Sequence, residues 1–240
     1  MPRLDCTTPL TPNRLCELIL AHSATVDVNL PRFFVQVGAG AGDLDPRAKY
    51  RDGFSELLKS IPLQAHDKIM LVEPNPMNLN KLKECWRLYG SAHFFQVGIV
   101  PRKLVGTSLP FYFAEEDGPH YQVASFDAAH VLKHYPNLSI DKLATCDVST
   151  IDLRTFLENS CVNGAISLLS LDIEGIDADI LLDTNLSGLH ISLISIEHLH
   201  LGSKARQVIS HMETFGFRYV GSGVDHNGYD WLFANTNAIV

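Results

Sequence analysis

Three alternating glycines, Gly38, Gly40 and Gly42, follow the apolar run Phe33–Val37, and Asp43 and Asp45 come just after them. Other apolar runs end on groups that can move protons or hold cations. "KIMLVEP" carries Glu73, "ISLLSLDIEG" carries Asp172 and Glu174, and "ISLISIEH" ends on Glu197 and His198, with His200 close behind. Glycines after a strand let the backbone adopt positive φ and let a ligand approach where a Cβ would collide. An acid ending the next strand can accept both hydroxyls of a ribose. Histidine, with an ordinary pKa of ~6.5, can serve as a general base, and paired acids can serve as base, substrate anchor or hard-metal ligands. These residues offer an adenosine ligand beside a proton-accepting centre.

The spacing helps to say which nucleotide. The dinucleotide fingerprint is G-x-G-x-x-G with pyrophosphate on the following helix, whereas here the third glycine comes one residue early and position 43 is aspartate. Asp43 and Asp45 would repel a pyrophosphate. They suit S-adenosylmethionine better, because its sulfonium and ammonium are offset by only one carboxylate. No Gly-Lys-Ser/Thr follows, so a P-loop is excluded. The interval from Gly40 to Glu73 exceeds the usual ~20 residues, which implies a longer crossover.

These residues need elements to hold them. Strand-like runs at Phe33–Val37, Lys68–Pro74 and His93–Val100 alternate with amphipathic segments. One such segment opens at Asp45-Pro46 and carries Phe54, Leu57, Leu58 and Ile61; the next carries Leu79, Leu82, Trp86 and Tyr89. Thr11-Pro12 marks a further helix, to about Ala21, within an N-terminal extension over residues 1–30. The stretch 101–150 is less regular, with a strand at Leu109–Ala114 and a helix around Phe126–His134, and is a candidate substrate-binding insertion. Its "EEDGPHYQ" turn, with His120 and Tyr121, reads as simply solvated.

Beyond it come a helix near Ile151–Glu158, the strand Ile166–Gly175, a short helix Asp177–Leu182 and the strand Ile191–His198. A helix capped by Ser203 and stopped by Gly216 follows. Strands Phe217–Val220 and Tyr229–Ala234, joined at Asn227-Gly228, close the chain. Such alternation predicts a doubly wound α/β fold with a mostly parallel sheet covered on both faces, in one domain over 1–240.

Composition agrees. The chain has 240 residues and is 46% hydrophobic, enough for a substantial core. Its formal net charge of −8, without a basic run, speaks against a nucleic-acid partner. Cys6, Cys16, Cys85, Cys146 and Cys161 are odd in number and unpaired in spacing, so reduced thiols are expected. The opening "MPRLDCTTPLTP" has no apolar h-region and no run is long enough to span a membrane, so the expected location is the cytoplasm.

These blocks together resemble the FkbM-type methyltransferases, a branch of the class I S-adenosylmethionine-dependent enzymes. "FVQVGAGAG", "LVEPNP" and "VASFD" carry the likeness, and so do "CDVSTIDLRTFLENSCVNGAISLLSLDIEGIDADIL", "ISIEH" and "FGFRYVGSGVD". The resemblance implies a seven-stranded Rossmann-like sheet with an antiparallel strand near one edge. It implies that Gln36, Gly38, Ala39 and Gly40 form the methionine-side loop and that Glu73 binds the ribose. Val97, Gly98 and Ile99 would lie against the adenine, and Asp172 would stand where the methyl group emerges. Many relatives have Asn-Asp where this chain has Gly40-Ala41, so those side-chain contacts are not expected here.

The implied reaction is methyl transfer to a hydroxyl of a small natural product or sugar, with Asp172, Glu174 and His198 as candidate catalytic groups. Each has a plainer alternative. Asp172 can hold a backbone amide, Glu174 can cap the next helix, and His198 can be a satisfied structural histidine. A divalent metal on Asp172 and Glu174 has no support beyond residue type. Nitrogen methylation of a peptide or amide, an NAD-linked dehydrogenase and a non-catalytic nucleotide-binding scaffold are the rival functions.

Overall fold

The computed structural model describes residues 15, 17–19, 21, 30–42, 52–106, 108–115, 123–224 and 228–236. Thr11-Pro12, Asp43, Asp45-Pro46, His120, Tyr121, Asn227, Cys6 and Cys16 lie outside them. The chain forms strands β1 (Arg32–Val37), β2 (Lys68–Val72), β3 (Ala92–Phe95) and β4 (Gly98–Ile99), then β5 (Ser108–Phe113), β6 (Ala124–Ser125) and β7 (Ala144–Ile151). After these come β8 (Ala165–Leu171), β9 (Ile191–Glu197), β10 (Phe217–Ser222) and β11 (Asp230–Asn235). The helices used below are α1 (Gly53–Ser60), α2 (Pro76–Cys85), α3 (Ala128–His134), α4 (Leu153–Ser160), α5 (Asp177–Asp183) and α6 (Ala205–Thr214).

Seven strands form one sheet in the order β10-β11-β9-β8-β1-β2-β3. All run parallel except β11, which is antiparallel to both of its neighbours. β1 and β8 are buried throughout, as expected of strands with helices on both faces. The pleat explains this. Phe33, Val35 and Val37 pack with Leu153, Phe156, Ile180, Val208 and Met212 from α4, α5 and α6. Phe34 points the other way, onto Phe54, Leu57, Leu58 and Leu82 from α1 and α2 and onto Leu15 and Ile19.

Local sequence sets the helix starts. Asp52 caps α1 by accepting from the Phe54 amide, Asn75 caps α2 ahead of Pro76, and Asp152 caps α4 by accepting from the Thr155 amide. Each such cap is worth about 1 kcal/mol. Ser203 does not act as expected: it lies in a 3₁₀ turn, Gly202–Lys204, and α6 starts without a side-chain cap.

The third predicted strand divides. Ala92–Phe95 pairs with β2, whereas Gly98–Ile99 joins β7 in a second, four-stranded sheet of order β4-β7-β5-β6. The irregular stretch of the sequence thus supplies three of this sheet's four strands. β7 was not foreseen because "ATCDVSTI" is polar and half-exposed, with Val148 its only fully buried residue. Among the described residues no helix is long and apolar enough to cross a membrane, and Cys85, Cys146 and Cys161 are free thiols.

Candidate active site

The chain runs outward from β1 to β2 and β3 and later returns to β8 on the other flank of β1. That reversal opens a crevice at the carboxyl ends of β1 and β8, the usual ligand position in open α/β sheets. The glycine turn sits there. The amides of Gly38 and Ala39 both donate to the Val72 carbonyl, at 3.0 and 2.9 Å, and the Asp172 amide donates to the Val37 carbonyl at 3.0 Å. Gly38 has φ +83°, and a Cβ there would lie 1.7 Å from the Asp172 carbonyl oxygen, so no other residue fits. Gly40, also at positive φ, faces open space.

Glu73 directly follows β2 and is buried. Its Oε2 accepts from the Gly40 amide at 2.7 Å, and its Oε1 accepts from the Asn75 amide at 2.8 Å and from Asn78 Nδ2 at 3.4 Å. Burial pushes its pKa up to about 7, against the pull of those donors. A carboxylate offers about four lone-pair sites, so with these three donors Oε2 keeps room for one ribose hydroxyl.

Gly38, Gly40, Glu73, Val97, Asp172 and Glu174 border one cavity, with roughly 500 Å³ of open space including its mouth. Ile99, Phe111, Ala124 and Phe126 supply an apolar wall from the second sheet. Phe111 and Phe126 meet edge to face at 4.8 Å. Gly98 lies behind this wall, and a Cβ there would meet the Phe126 ring at 2.2 Å. This fits a nucleoside with a cationic tail: backbone approach at the glycines, a buried acceptor at Glu73, a flat apolar wall and acids at the far end.

Gln36, Ala39, Gly98 and His198 stand outside the cavity lining. Gln36 donates to Asp52 Oδ1 at 2.8 Å and so ties β1 to the cap of α1. Ala39 is buried among α1 and α2 residues. His198 stacks on Trp231 with centroids 5.1 Å apart, and its Nε2 lies 3.1 Å from the Gly228 carbonyl.

Acids crowd the far end. The Asp172 side chain is exposed to solvent where it borders the cavity. The protein packed around the carboxyl still limits its hydration and raises its pKa well above the usual carboxylate range, and Glu174, Glu197, Asp177 and Asp230 raise it further. Asp177, whose Oδ1 accepts from the Ile173 amide at 2.9 Å, is pushed to about 6 by burial. Glu174 has φ +49°, uncommon for a residue with a side chain. Its carbonyl accepts from Ser125 Oγ at 2.7 Å, and its Oε2 is hydrogen-bonded to His130 Nε2 at 2.8 Å. Glu174 therefore contacts α3 and does not take the plainer alternative of capping the next helix, which starts without a side-chain cap. His200 reaches Glu197 at 3.4 Å, and burial and then His130 hold its pKa below the ordinary value.

His130, His134, Phe111 and Phe126 were not anticipated. The i, i+4 spacing of His130 and His134 in the segment read as a helix was the available signal.

Comparison with known proteins gives the chemistry. No individually curated protein matches the chain. Among the solved structures that align with the chain are three that are each 12% identical to it. The N-terminal domain of human METTL16 in complex with SAH aligns with TM-score 0.44, covering 95% of this chain and 71% of that one. For Aeropyrum pernix fibrillarin with natively bound S-adenosyl-L-methionine the TM-score is 0.40, covering 90% and 72%. For a putative RNA methyltransferase from Pyrococcus horikoshii it is also 0.40, covering 98% and 90%. Likeness this loose says nothing of an acceptor. The model of the FkbM methyltransferase domain, by contrast, matches residues 36–219, most of the chain and every cavity residue named above. The chain belongs to the FkbM family of S-adenosylmethionine-dependent methyltransferases.

Proposed function

We propose that this enzyme methylates a hydroxyl on a small natural product or sugar, with Asp172 as the proton acceptor. The observation that carries this reading is the Asp172 carboxyl bordering the same cavity as the glycine turn, open to solvent, with a proton affinity raised well above that of a free carboxylate. An alcohol keeps its proton until the new bond forms, so transfer to oxygen needs a base that gains strength in the site. An amine acceptor that arrives deprotonated has less need of one.

The remaining roles follow from the same geometry. Gly38 and Gly40 hold the methionine portion of the cofactor, Glu73 accepts from the ribose, and Val97, Ile99 and Phe126 cover the adenine. S-adenosylmethionine, when bound, supplies an electrophilic methyl group on a sulfonium that leaves without needing a proton. The acids near Asp172 favour that positive charge. Glu174, held by His130, shapes the acceptor end and leaves the proton to Asp172. His198, stacked on Trp231, is a structural histidine in this reading. The second sheet covers the acceptor. The same acids and the net charge of −8 oppose a polyanionic acceptor.

The test is incubation with methyl-labelled cofactor and a panel of sugars, phenols, hydroxylated small molecules, short peptides and an RNA. Label on the oxygen of a small molecule, lost in Asp172→Asn, is the expected result. Label on peptide nitrogen or on RNA would replace this reading.

A further inference from the structure

We propose that His130, His134, His200 and Glu174 form a binding site for one divalent transition-metal ion of the zinc class, at the acceptor end of the cavity. One ligand atom from each of these residues lies within 4.8 Å of all the others. Three come from imidazoles and one from a carboxylate, the donor set that suits zinc and its neighbours and is ill-matched to magnesium or calcium.

The residues come from three separate parts of the chain. His130 and His134 lie one turn apart on α3, the i, i+4 spacing that sets two imidazoles on one helix face toward a common ion. Glu174 follows β8, and His200 follows β9. The ring centroids of His130 and His200 are 4.6 Å apart, those of His130 and His134 5.1 Å, and those of His134 and His200 5.8 Å. Zinc–nitrogen bonds of about 2.1 Å in a tetrahedron set ligand atoms about 3.4 Å apart. Side-chain adjustments of about an ångström would close the cluster around an ion.

Two backbone features hold the site open for this. Glu174 keeps φ +49° while Ser125 anchors its carbonyl, which aims the carboxylate at His130 Nε2, 2.8 Å away. Gly175, at φ +99°, has no Cβ; one there would lie 2.6 Å from His130 Nδ1 and push the imidazole out. Strain of this kind gathers at ligand clamps and active sites. Because Glu174 also borders the cavity, a bound ion would join α3, the β8–α5 turn and the loop after β9 into one wall facing the acceptor.

The experiment uses untagged full-length protein stripped with a chelator and titrated with cobalt(II), then zinc(II), in excess magnesium. One ion per chain is expected, with the visible bands of tetrahedral cobalt bleached by zinc and a zinc-dependent rise in Tm. His134→Ala, at an exposed position, and His200→Ala should each weaken zinc binding by at least the ~10–100-fold typical of losing even an outer-sphere partner. Failure of the stripped protein to bind, or unchanged binding in both variants, would overturn the site. Methyl transfer is not part of the readout, so a negative result here leaves the methyltransferase reading standing.

Discussion

At the amino ends of β1 and β2, buried Arg32 and Asp67 form a two-pronged ion pair at 2.7 and 2.5 Å. At the carboxyl ends of β1, β2 and β8, Glu73 is buried among backbone amides and Asp172 opens onto the cavity beside other acids, and both hold their protons more tightly than free carboxylates do. The same sheet therefore buries acid at both ends on opposite terms. At the lower end charge is matched inside the protein and the pair locks the strands. At the upper end negative charge is concentrated, and stability is given up for a site that suits a cation and hydroxyl groups. Mutations at the two ends should have opposite signatures.

The largest effect is expected at the lower end. Asp67→Ala strands the Arg32 guanidinium in the interior, and breaking such a pair costs about 3–5 kcal/mol. Urea denaturation should show that loss, while the fraction still folded binds cofactor as before. A change below about 1 kcal/mol would mean that water replaces the carboxylate and that the two ends do not differ as described.

Asp172→Asn tests the upper end. The rate of methyl transfer should fall by about 10²–10⁴, the usual contribution of a general base. Thermal unfolding should move up by a few degrees, because one of several mutually repelling acids is gone. Lower stability with activity intact would reverse the comparison. Glu73→Gln keeps the shape and removes the charge. Cofactor affinity should fall by about 2 kcal/mol, roughly 30-fold, with little change in the rate at saturation. Calorimetric titration reads the first quantity and single-turnover kinetics the second.

The two halves of the site differ as much in how far they could be read from sequence. The glycine turn and Glu73 were legible because each directly follows a short, largely apolar run, and a buried strand that ends on glycine or acid has few meanings. The half proposed for the acceptor was not. It is assembled from α3, the turn at Glu174, the loop after β9 and a sheet whose longest strand, β7, is too polar to look like one. Nothing in "KHYPNLS" or "HLHLGS" says that His134 and His200 meet. Orientation was the other limit. Gln36 was read as part of the methionine-side loop, yet its side chain reaches the cap of α1, and His198 leaves β9 to stack on Trp231. Val97 borders the cavity while Gly98, the next residue, lies behind Phe126.

The smallest effect is also the most specific. The Glu73 carboxyl ionises near pH 4.5 when unconstrained and at about 7 in the folded protein, chiefly because of burial. The folded state thus holds this proton more tightly than the unfolded chain. The contribution of Glu73 to stability is therefore most favourable below about 4.5, declines as pH rises through that interval and levels off above about 7. Asp177, raised to about 6, adds a decline over a lower range. Cofactor binding should run the other way, since ribose hydroxyls need the carboxylate as acceptor. Affinity should rise about tenfold between about pH 6 and about pH 8 as one group with a pKa near 7 ionises. Calorimetric titration of S-adenosylhomocysteine across that range measures the rise, and Glu73→Gln should remove this part of it. Titration of the ligand itself and of Asp172 is common to both proteins and cancels in the comparison. An identical slope in the variant would show that Glu73 stays ionised throughout, and the upper end of the sheet would then tolerate its charge much as Asp67 does below.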